Sequence, residues 1–322
     1  MIESLGASTA ARVVNRAKRQ ALARLSPIKR LAELQHQRRL ERFQSVLPIL
    51  PAHHSGVVEA LRTNAIDTMS IDDLGLPGTR QLKSVLERQV QALAARPAMG
   101  ATTIRPEATE LLENPALWQW GLSEPMLDLA ENYLGMPARY YGADVRREVA
   151  DGQAHDVRQW HRDIEDRTSL KILIWLNDVD EDGGPFAYVP VERSSYAVEQ
   201  LRYVAGFISD EVMRRVVPES EWRTCPGPRW TAVLADNCRL LHRATPPRAR
   251  DRYSVTFTWT TRHPVKTMPQ EALSDDQVRR LTTGLTWRQF QCLPTARQRQ
   301  ARGWPLSPAG RRAPASLGWP TG

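Results

Sequence analysis

From residue 139 onward the chain is a series of short β-prone segments separated by turns, and this pattern limits the folds it can adopt. The segment LKILIWL at 170–176 is nearly all apolar, as expected of a strand buried on both faces. An acidic turn closed by Gly-Gly-Pro follows it at 177–185. Many short strands joined by turns predict a jelly roll of two facing sheets. The predicted strands lie at 139–141, 145–149, 170–176, 186–189, 230–234, 239–242 and Arg252–Thr261.

The first 138 residues have helical periodicity instead. Ser26-Pro27 is typical of a helix start, whereas the adjacent His53 and His54 are expected in a loop. The chain is therefore predicted to be mainly β with flanking helices, an α+β fold in which N-terminal helices buttress the outer face of the jelly roll. Helices are predicted at 8–25, from 26 to about 46, at 56–63 and 79–95, and after Asn114 and Ser123.

Two histidines and one aspartate have the residue types of a metal site. His161 and Asp163 are alternate residues of a predicted strand, so both side chains can point to the same side. With the distal His242 they make up the two imidazoles and one carboxylate of a facial triad that holds Fe(II) and leaves coordination positions open. His263 is a competing candidate, but it precedes Pro264 and no Arg-x-Ser follows it.

A cation lies ten residues after His242. Arg252 begins a β-prone strand, and an inward guanidinium there could anchor a dicarboxylate co-substrate through a bidentate pair. Ser254 lies two residues on and shares the same face of the strand, so its hydroxyl could bind the same carboxylate. Three further arginines stand nearby, which leaves open the alternative that Arg252 is an ordinary surface residue.

These motifs occur in a familiar order. A His-x-Asp, an apolar strand, an acidic turn ending in Gly-Pro, a strand ending in Val189-Pro190, a distal histidine and then an arginine fill residues 158–261. In this order and spacing the segment resembles the phytanoyl-CoA dioxygenase-like family of Fe(II)/2-oxoglutarate oxygenases. The resemblance implies a double-stranded β-helix, the cupin-like jelly roll.

The resemblance also implies a chemistry. His161, Asp163 and His242 would bind Fe(II), and 2-oxoglutarate and O2 would be co-substrates. Trp175 would line the co-substrate pocket, where plain strand core is the alternative. The implied reaction hydroxylates a small-molecule substrate and converts 2-oxoglutarate to succinate and CO2. Relatives that halogenate lack the carboxylate, so the presence of Asp163 favours hydroxylation. Candidates for further substrate or co-substrate contacts are Tyr140, Arg146, Arg147 and Gln159.

Charge is concentrated at the two ends of the chain. Of a formal net charge of +8, residues 1–50 contribute ten Lys and Arg against three Glu, and residues 295–322 contribute five Arg and no acid. The sequence predicts a basic helical extension at 1–50, an oxygenase domain at 51–290 with its jelly-roll core at about 138–263, and a basic, disordered tail at 291–322. A transit peptide at the N-terminus is an alternative for the first helix.

Composition constrains the cellular location of the protein. No apolar run approaches the roughly 20 residues that span a bilayer, and the three cysteines form no C-x-x-C motif, which favours a reducing cytoplasmic location. Two other functions stay open. One is a non-catalytic jelly roll that binds nucleic acid, membrane or an acidic carrier through its basic helical arm. The other is a cupin-like metalloenzyme that does not use 2-oxoglutarate.

Overall fold

The computed structural model describes residues 26–268 and 274–294, so the helix predicted at 8–25 and most of the predicted tail lie outside the described residues. Two antiparallel sheets form the centre. The larger has the strand order β1-β7-β4-β9-β3-β2, and the smaller has the order β6-β5-β8. The predicted α+β jelly roll is confirmed. The strands are β1 Ile66–Ser70, β2 Thr103–Ile104, β3 Ala138–Glu148, β4 Ser169–Trp175, β5 Phe186–Tyr188, β6 Arg223–Cys225, β7 Thr231–Ala235, β8 His242–Ala244 and β9 Arg252–Thr261.

Alternation along the central strands gives the large sheet two different faces. Alternate side chains of a strand point to opposite faces, and in β4, β7 and β9 one set packs in the largest apolar core while the other lines a cavity between the sheets. The core-facing residues are Leu170, Ile172, Ile174, Ala232, Leu234, Val255 and Phe257. The cavity-facing residues are Lys171, Leu173, Trp175, Val233, Ala235, Arg252, Ser254 and Thr256.

Helices cover the core-facing side of the large sheet. Aromatic side chains make this junction: the ring centroids of Trp120 and Phe257 lie 4.7 Å apart, and Trp259 donates its indole N–H to the carbonyl of Gly121 at 3.1 Å. The α-helices of the described residues are α1 Ser26–Gln44, α2 Ala52–Asn64, α3 Thr79–Ala94, α4 Ala108–Leu112, α5 Pro115–Gly121, α6 Glu124–Leu134, α7 Val191–Gln200, α8 Asp210–Arg214, α9 Asp275–Thr282 and α10 Trp287–Cys292. The helices that precede β3 thus buttress the sheet as predicted, whereas α7 and α8 pack beside the small sheet.

Helix α1 lies against the body at the end of α6. Gly135 ends α6 with φ of 69°, and a Cβ there would come within 2.6 Å of the Leu40 side chain of α1. Glycine therefore permits both the left-handed turn and the close approach of α1. Asn132 adds a hydrogen bond from its side-chain amide to the carbonyl of Pro48 at 2.8 Å. Within the described ranges, no helix is long and apolar enough to cross a membrane.

The structure corrects several local predictions. His53 and His54 belong to α2 and not to a loop, because Nε2 of His54 lies 2.8 Å from the carbonyl oxygen of Leu74 and ties the helix to the following turn. The two strands predicted at 139–141 and 145–149 are one strand, β3, with a register shift at residues 140–143. The strand predicted at 239–242 starts only at His242.

The predicted boundaries also move. Strands β1 and β2 join the large sheet from positions before residue 138, so the sheet extends beyond the expected core of 138–263. At the other end, Cys292 and Leu293 are fully buried in the main core, although the predicted tail starts at 291. Their burial follows from α10, which sequence inspection missed in an Arg- and Gln-rich segment.

Asp236 is a buried carboxylate that joins α6 to the start of β4. It accepts hydrogen bonds from the Tyr133 hydroxyl at 2.6 Å, the Ser169 amide at 3.1 Å and the Cys238 amide at 2.9 Å. Burial raises the pKa of Asp236 to about 6, from a usual value of 3.8, against the effect of these donors. The folded chain therefore takes up a proton at higher pH than the unfolded chain does.

We expect protonation of Asp236 to increase the free energy of unfolding as the pH is lowered from 7 to 5. A raised pKa in the folded state contributes free energy of unfolding as the pH falls through about 6. Asp236→Asn lacks this titration. The free energy of unfolding of the wild type minus that of the variant should therefore increase by about 1 kcal/mol from pH 7 to pH 5. Urea unfolding at both pH values measures it. A difference that stays constant or shrinks would show that Asp236 ionises normally.

Candidate functional site

The two histidines are brought together by backbone pairing. His161 and His242 form an isolated antiparallel bridge, in which each amide donates to the other's carbonyl at 2.9 Å. Their ring centroids are 4.3 Å apart. Nδ1 of His161 lies 2.9 Å from the carbonyl of Gln159, and Nδ1 of His242 lies 3.1 Å from that of Leu240. A carbonyl oxygen only accepts, so each Nδ1 carries the proton and each Nε2 is left with a free lone pair that can bind a metal.

Asp163 completes the cluster from a loop. The strand predicted through 161–163 is reduced to the bridge at His161, and the Asp163 amide donates to the carbonyl of Asn237 at 2.9 Å. This bond extends the pairing across to the segment before His242. Oδ1 of Asp163 lies 3.7 Å from Nε2 of His161 and 3.9 Å from Nε2 of His242. One ligand atom from each of the three residues thus falls within 4.8 Å of the others.

The protonation states suit metal ligation. Burial, and then the neighbouring His161, lower the pKa of His242 to about 3. Burial lowers the pKa of His161 as well, despite the nearby carboxylate. Both imidazoles are therefore neutral at pH 7, as a metal ligand must be. Burial raises the pKa of Asp163, but the charge of Lys171 and the two imidazoles outweigh it, so this carboxyl ionises well below its usual range.

The three ligands open onto a cavity of about 140 Å³ between the two sheets. A cavity that holds one water molecule has a volume of roughly 10–15 Å³ when it is measured in the same way, so this cavity is many times larger. All six residues selected from the sequence line the cavity. Their assembly from four separate parts of the chain is a property of the fold, and their catalytic and co-substrate roles stay predictions. They are His161, Asp163, Trp175, His242, Arg252 and Ser254.

Arg252 is held on the cavity wall. It is 3% exposed, donates from Nη1 to the carbonyl of Thr245 at 2.9 Å, and places Nη2 3.9 Å from the carboxylate of Glu148. Burial lowers the pKa of Arg252 to about 10, and Glu148 counteracts this effect. The guanidinium is therefore still a cation at pH 7. It is a fixed positive charge in the cavity that the three candidate metal ligands also line.

Ser254 and Trp175 flank that cation. They are paired across β9 and β4, and the Arg252 guanidinium lies 5.7 Å from the centroid of the Trp175 ring. The indole N–H of Trp175 donates to the carbonyl of Cys225 at 3.1 Å, which joins the large sheet to the small one. Trp175 thus has a structural contact and a cavity-facing ring at the same time.

Of the four further candidates for substrate or co-substrate contacts, only one has a side chain that lines the cavity. Arg146 lines the cavity, whereas Tyr140 is buried on the helical side with its hydroxyl on the carbonyl of Leu117 at 3.0 Å. Arg147 pairs with Asp251 at 2.6 Å. Gln159 acts through its backbone carbonyl on His161. The competing His263 lies in a different cavity, so the choice of His242 over His263 agrees with the geometry.

Sequence inspection missed Lys171. Its ammonium donates a hydrogen bond to Oδ2 of Asp163, whereas Oδ1 faces the two histidines. The side chain of Lys171 is 19% exposed. Burial lowers the pKa of Lys171, but Asp163 more than restores it, and the group stays charged. The signal was a lone lysine within LKILIWL, at a cavity-facing position by strand alternation. With Arg146 and Arg252, it leaves the cavity lining with three cations against one carboxylate.

We expect Lys171→Met to destabilise the metal-free protein by about 3 kcal/mol, because it leaves the mostly buried Asp163 carboxylate without its cation. Anaerobic addition of Fe(II) should then raise the melting temperature more in the variant than in the wild type, since the metal restores positive charge beside Asp163. Lys83→Met, which removes a surface ion pair with Asp72, is the control and should cost less than about 1 kcal/mol. Equal responses to Fe(II) would contradict this role.

No family model matches this chain, and no curated protein matches it. Solved structures do. The epimerase SnoN, in a complex with Fe3+, alpha-ketoglutarate and nogalamycin RO, is similar at 15% identity over 70% of this chain and 93% of SnoN, with a TM-score of 0.43. EctD from S. alaskensis, with 2-oxoglutarate and 5-hydroxyectoine, is similar at 16% identity over 64% of this chain and 76% of EctD, with a TM-score of 0.45.

A third similar structure is HygX from Streptomyces hygroscopicus, with nickel, 2-oxoglutarate and hygromycin B bound. It shares 15% identity over 66% of this chain and 88% of HygX, at a TM-score of 0.44. These proteins cover about two thirds of the chain each.

Proposed function

We propose that this protein is an Fe(II)- and 2-oxoglutarate-dependent oxygenase that hydroxylates a small molecule. The observation that carries the proposal is the coexistence, in one cavity, of a His161–Asp163–His242 ligand cluster and the buried guanidinium of Arg252. The cluster accounts for a metal, and the guanidinium accounts for an anionic co-substrate. The family resemblance over residues 158–261 leads to the same proposal.

The donor set fits Fe(II). Two neutral imidazole nitrogens and one carboxylate oxygen lie within 4.8 Å of one another, and they are the donor types of the facial triads that hold Fe(II) with coordination positions open. The proton on each Nδ1 is fixed by a backbone carbonyl, which keeps each Nε2 available and sets the plane of each ring. Such fixed ligands reduce the rearrangement that metal binding would need.

The cavity charge fits a dicarboxylate. Three cations and one carboxylate line it, and Arg252 approaches its nearest carboxylate, that of Glu148, only to 3.9 Å, so an anionic guest would give this guanidinium a closer charged partner. Arg252 has the planar fork that matches a carboxylate, and Ser254 adds a hydroxyl from the same face of β9. We propose that these two residues bind the carboxylate of 2-oxoglutarate remote from the metal, with Trp175 as the adjoining wall.

Bound Fe(II) with 2-oxoglutarate and O2 supplies the oxidation of an unactivated C–H bond, with succinate and CO2 as the by-products. The chain's own residues orient the reactants and limit water. Apolar side chains, among them Leu173 and Val233, line much of the cavity and keep the reacting region poor in water. The fixed charges of Arg252 and Lys171 hold their positions without rearranging.

The mouth of the cavity indicates where a substrate would approach. Val157 lines the cavity and is 40% exposed. Phe207 is 48% exposed, and its ring centroid lies 5.4 Å from that of His161 in an edge-on arrangement. Two exposed apolar side chains beside a metal ligand favour a substrate with an apolar portion next to the carbon that is oxidised.

The test is a visible spectrum of the purified protein under anaerobic conditions. We expect a metal-to-ligand charge-transfer band that appears only when Fe(II) and 2-oxoglutarate are both present, and that is lost in His161→Ala. Succinate formation after O2 is admitted checks turnover independently. A well-folded protein that binds Fe(II) but gives neither band nor succinate would favour a cupin-like metalloenzyme that does not use 2-oxoglutarate.

A further inference from the structure

A second cavity, of about 100 Å³, lies between α1 and the body of the protein, away from the metal ligands. Helix α1 contributes one wall, and the segments around Met136, Arg167 and Arg262 contribute the others. Its polar lining is strongly basic, with four arginines and two histidines against one aspartate. The lining residues are His36, Arg39, Arg42, Phe43, Met136, Pro137, Asp166, Arg167, Thr261, Arg262 and His263.

The one carboxylate in this lining is already engaged by the body. Oδ1 of Asp166 accepts from the Arg167 amide at 2.9 Å, and Oδ2 accepts from the amide and hydroxyl of Thr261 at 3.0 and 2.6 Å. Arg167 itself has a partner at the rim, since Nε lies 3.5 Å from the carboxylate of Glu33. Asp166 therefore shapes the cavity wall and does not neutralise the remaining arginines.

Three guanidinium groups are left without an anionic partner. Among the described residues, neither Arg39, Arg42 nor Arg262 forms an ion pair, and Nε of Arg262 is buried without a hydrogen-bond acceptor. Burial, and then the charges of Arg39 and other arginines, lower the pKa of His263. Arg39 and Arg42 are exposed at the rim, and Arg262 is half-buried deeper in the wall. Cations gathered around one concave space repel each other, and an anion that enters it relieves this repulsion.

We propose that this cavity, the α1 basic cavity, binds a phosphoryl group. One arginine fork satisfies a carboxylate, whereas several unpaired forks around one small space suit a group with three or more acceptor oxygens and up to two negative charges. The cavity's volume holds a group of this kind but not a folded partner. The site would recognise the phosphate of a small phosphorylated molecule or of a lipid headgroup. This proposal does not depend on the chemistry at the metal cluster.

Calorimetric titration of the full chain with inorganic pyrophosphate is the test. We expect saturable binding that becomes about 10- to 100-fold weaker in Arg39→Gln, since hydrogen bonds to charged groups are the strong ones in such sites. Arg262→Gln should have a similar effect. Arg38→Gln is the matched control, because Arg38 is the neighbouring arginine of α1, is exposed as Arg39 is, and does not line the cavity.

Three results would overturn the proposal, and one further assay identifies the source of the phosphoryl group. Absence of pyrophosphate binding, or equal weakening by Arg38→Gln and Arg39→Gln, would overturn the proposal, since the latter indicates unspecific attraction to a basic helix. Binding to an oligonucleotide without binding of pyrophosphate would overturn it too. A sedimentation assay with phosphatidylcholine vesicles that contain phosphatidic acid identifies the source. Vesicle binding that pyrophosphate displaces indicates a lipid headgroup, and its absence indicates a free phosphorylated molecule.

Discussion

We expect His242→Ala to weaken Fe(II) binding by more than about 100-fold and to reduce 2-oxoglutarate turnover to background. Loss of a group that only orients a metal ligand typically costs about 10- to 100-fold, and removal of a ligand itself should cost more. His242 supplies one of only three ligand atoms in the cluster, and its Nε2 is 3.9 Å from Oδ1 of Asp163. Binding is measured by anaerobic titration with Fe(II), and turnover by succinate release.

His53→Ala is the matched control for this variant. His53 is an exposed histidine of α2 and does not line the metal cavity, so its loss should leave both Fe(II) binding and turnover unchanged. Thermal unfolding of both variants checks that they are folded. Retention of tight Fe(II) binding by folded His242→Ala would show that other residues hold the metal.

Arg252→Ala should raise the KM for 2-oxoglutarate by about 100-fold or more while Fe(II) binding is kept. Removing one partner of a buried charge pair costs about 2–5 kcal/mol, and each 1.4 kcal/mol is a factor of ten. Arg252→Lys keeps the charge but not the planar fork, and we expect an intermediate loss. Steady-state succinate formation at varied 2-oxoglutarate concentration gives the KM, and the charge-transfer band gives binding directly.

Arg250→Ala controls for the loss of an arginine in the same segment. Arg250 is exposed and pairs with Asp180 on the surface, so its removal should leave the KM unchanged. If Arg252→Ala had the same KM as the wild type, the co-substrate would have to be anchored elsewhere. Arg146, which lines the same cavity, would then be the first residue to vary.

Strand alternation made much of the site predictable. The residues Arg252 and Ser254 share a face because the side-chain period of a strand is two, and the structure places both on the cavity wall. The choice of His242 over His263 followed from the residues after each histidine, and the two lie in different cavities. Local cap chemistry likewise accounts for the end of α6 at Gly135 and for the capping of α8 by Ser209.

Other features depend on partners that are far away in the chain. The sequence around His53 and His54, next to two prolines, predicted a loop. His54 is held in α2 by the carbonyl of Leu74, twenty residues later in the chain. Lys171 appears in sequence as an interruption of an apolar strand. Its role becomes visible only when Asp163, in a loop eight residues earlier, is placed against it.

The sequence by itself determined the fold class, the residue types of the metal cluster and the strand that carries Arg252, because these follow from periodicity and from ligand chemistry. The tertiary structure decided which side chains converge. Backbone pairing of His161 with His242, and of Asp163 with Asn237, joins segments about 80 residues apart, and no local pattern encodes that register. The α1 basic cavity exists for the same reason, since it forms only when α1 docks beside Gly135 and brings Arg39 near Arg262.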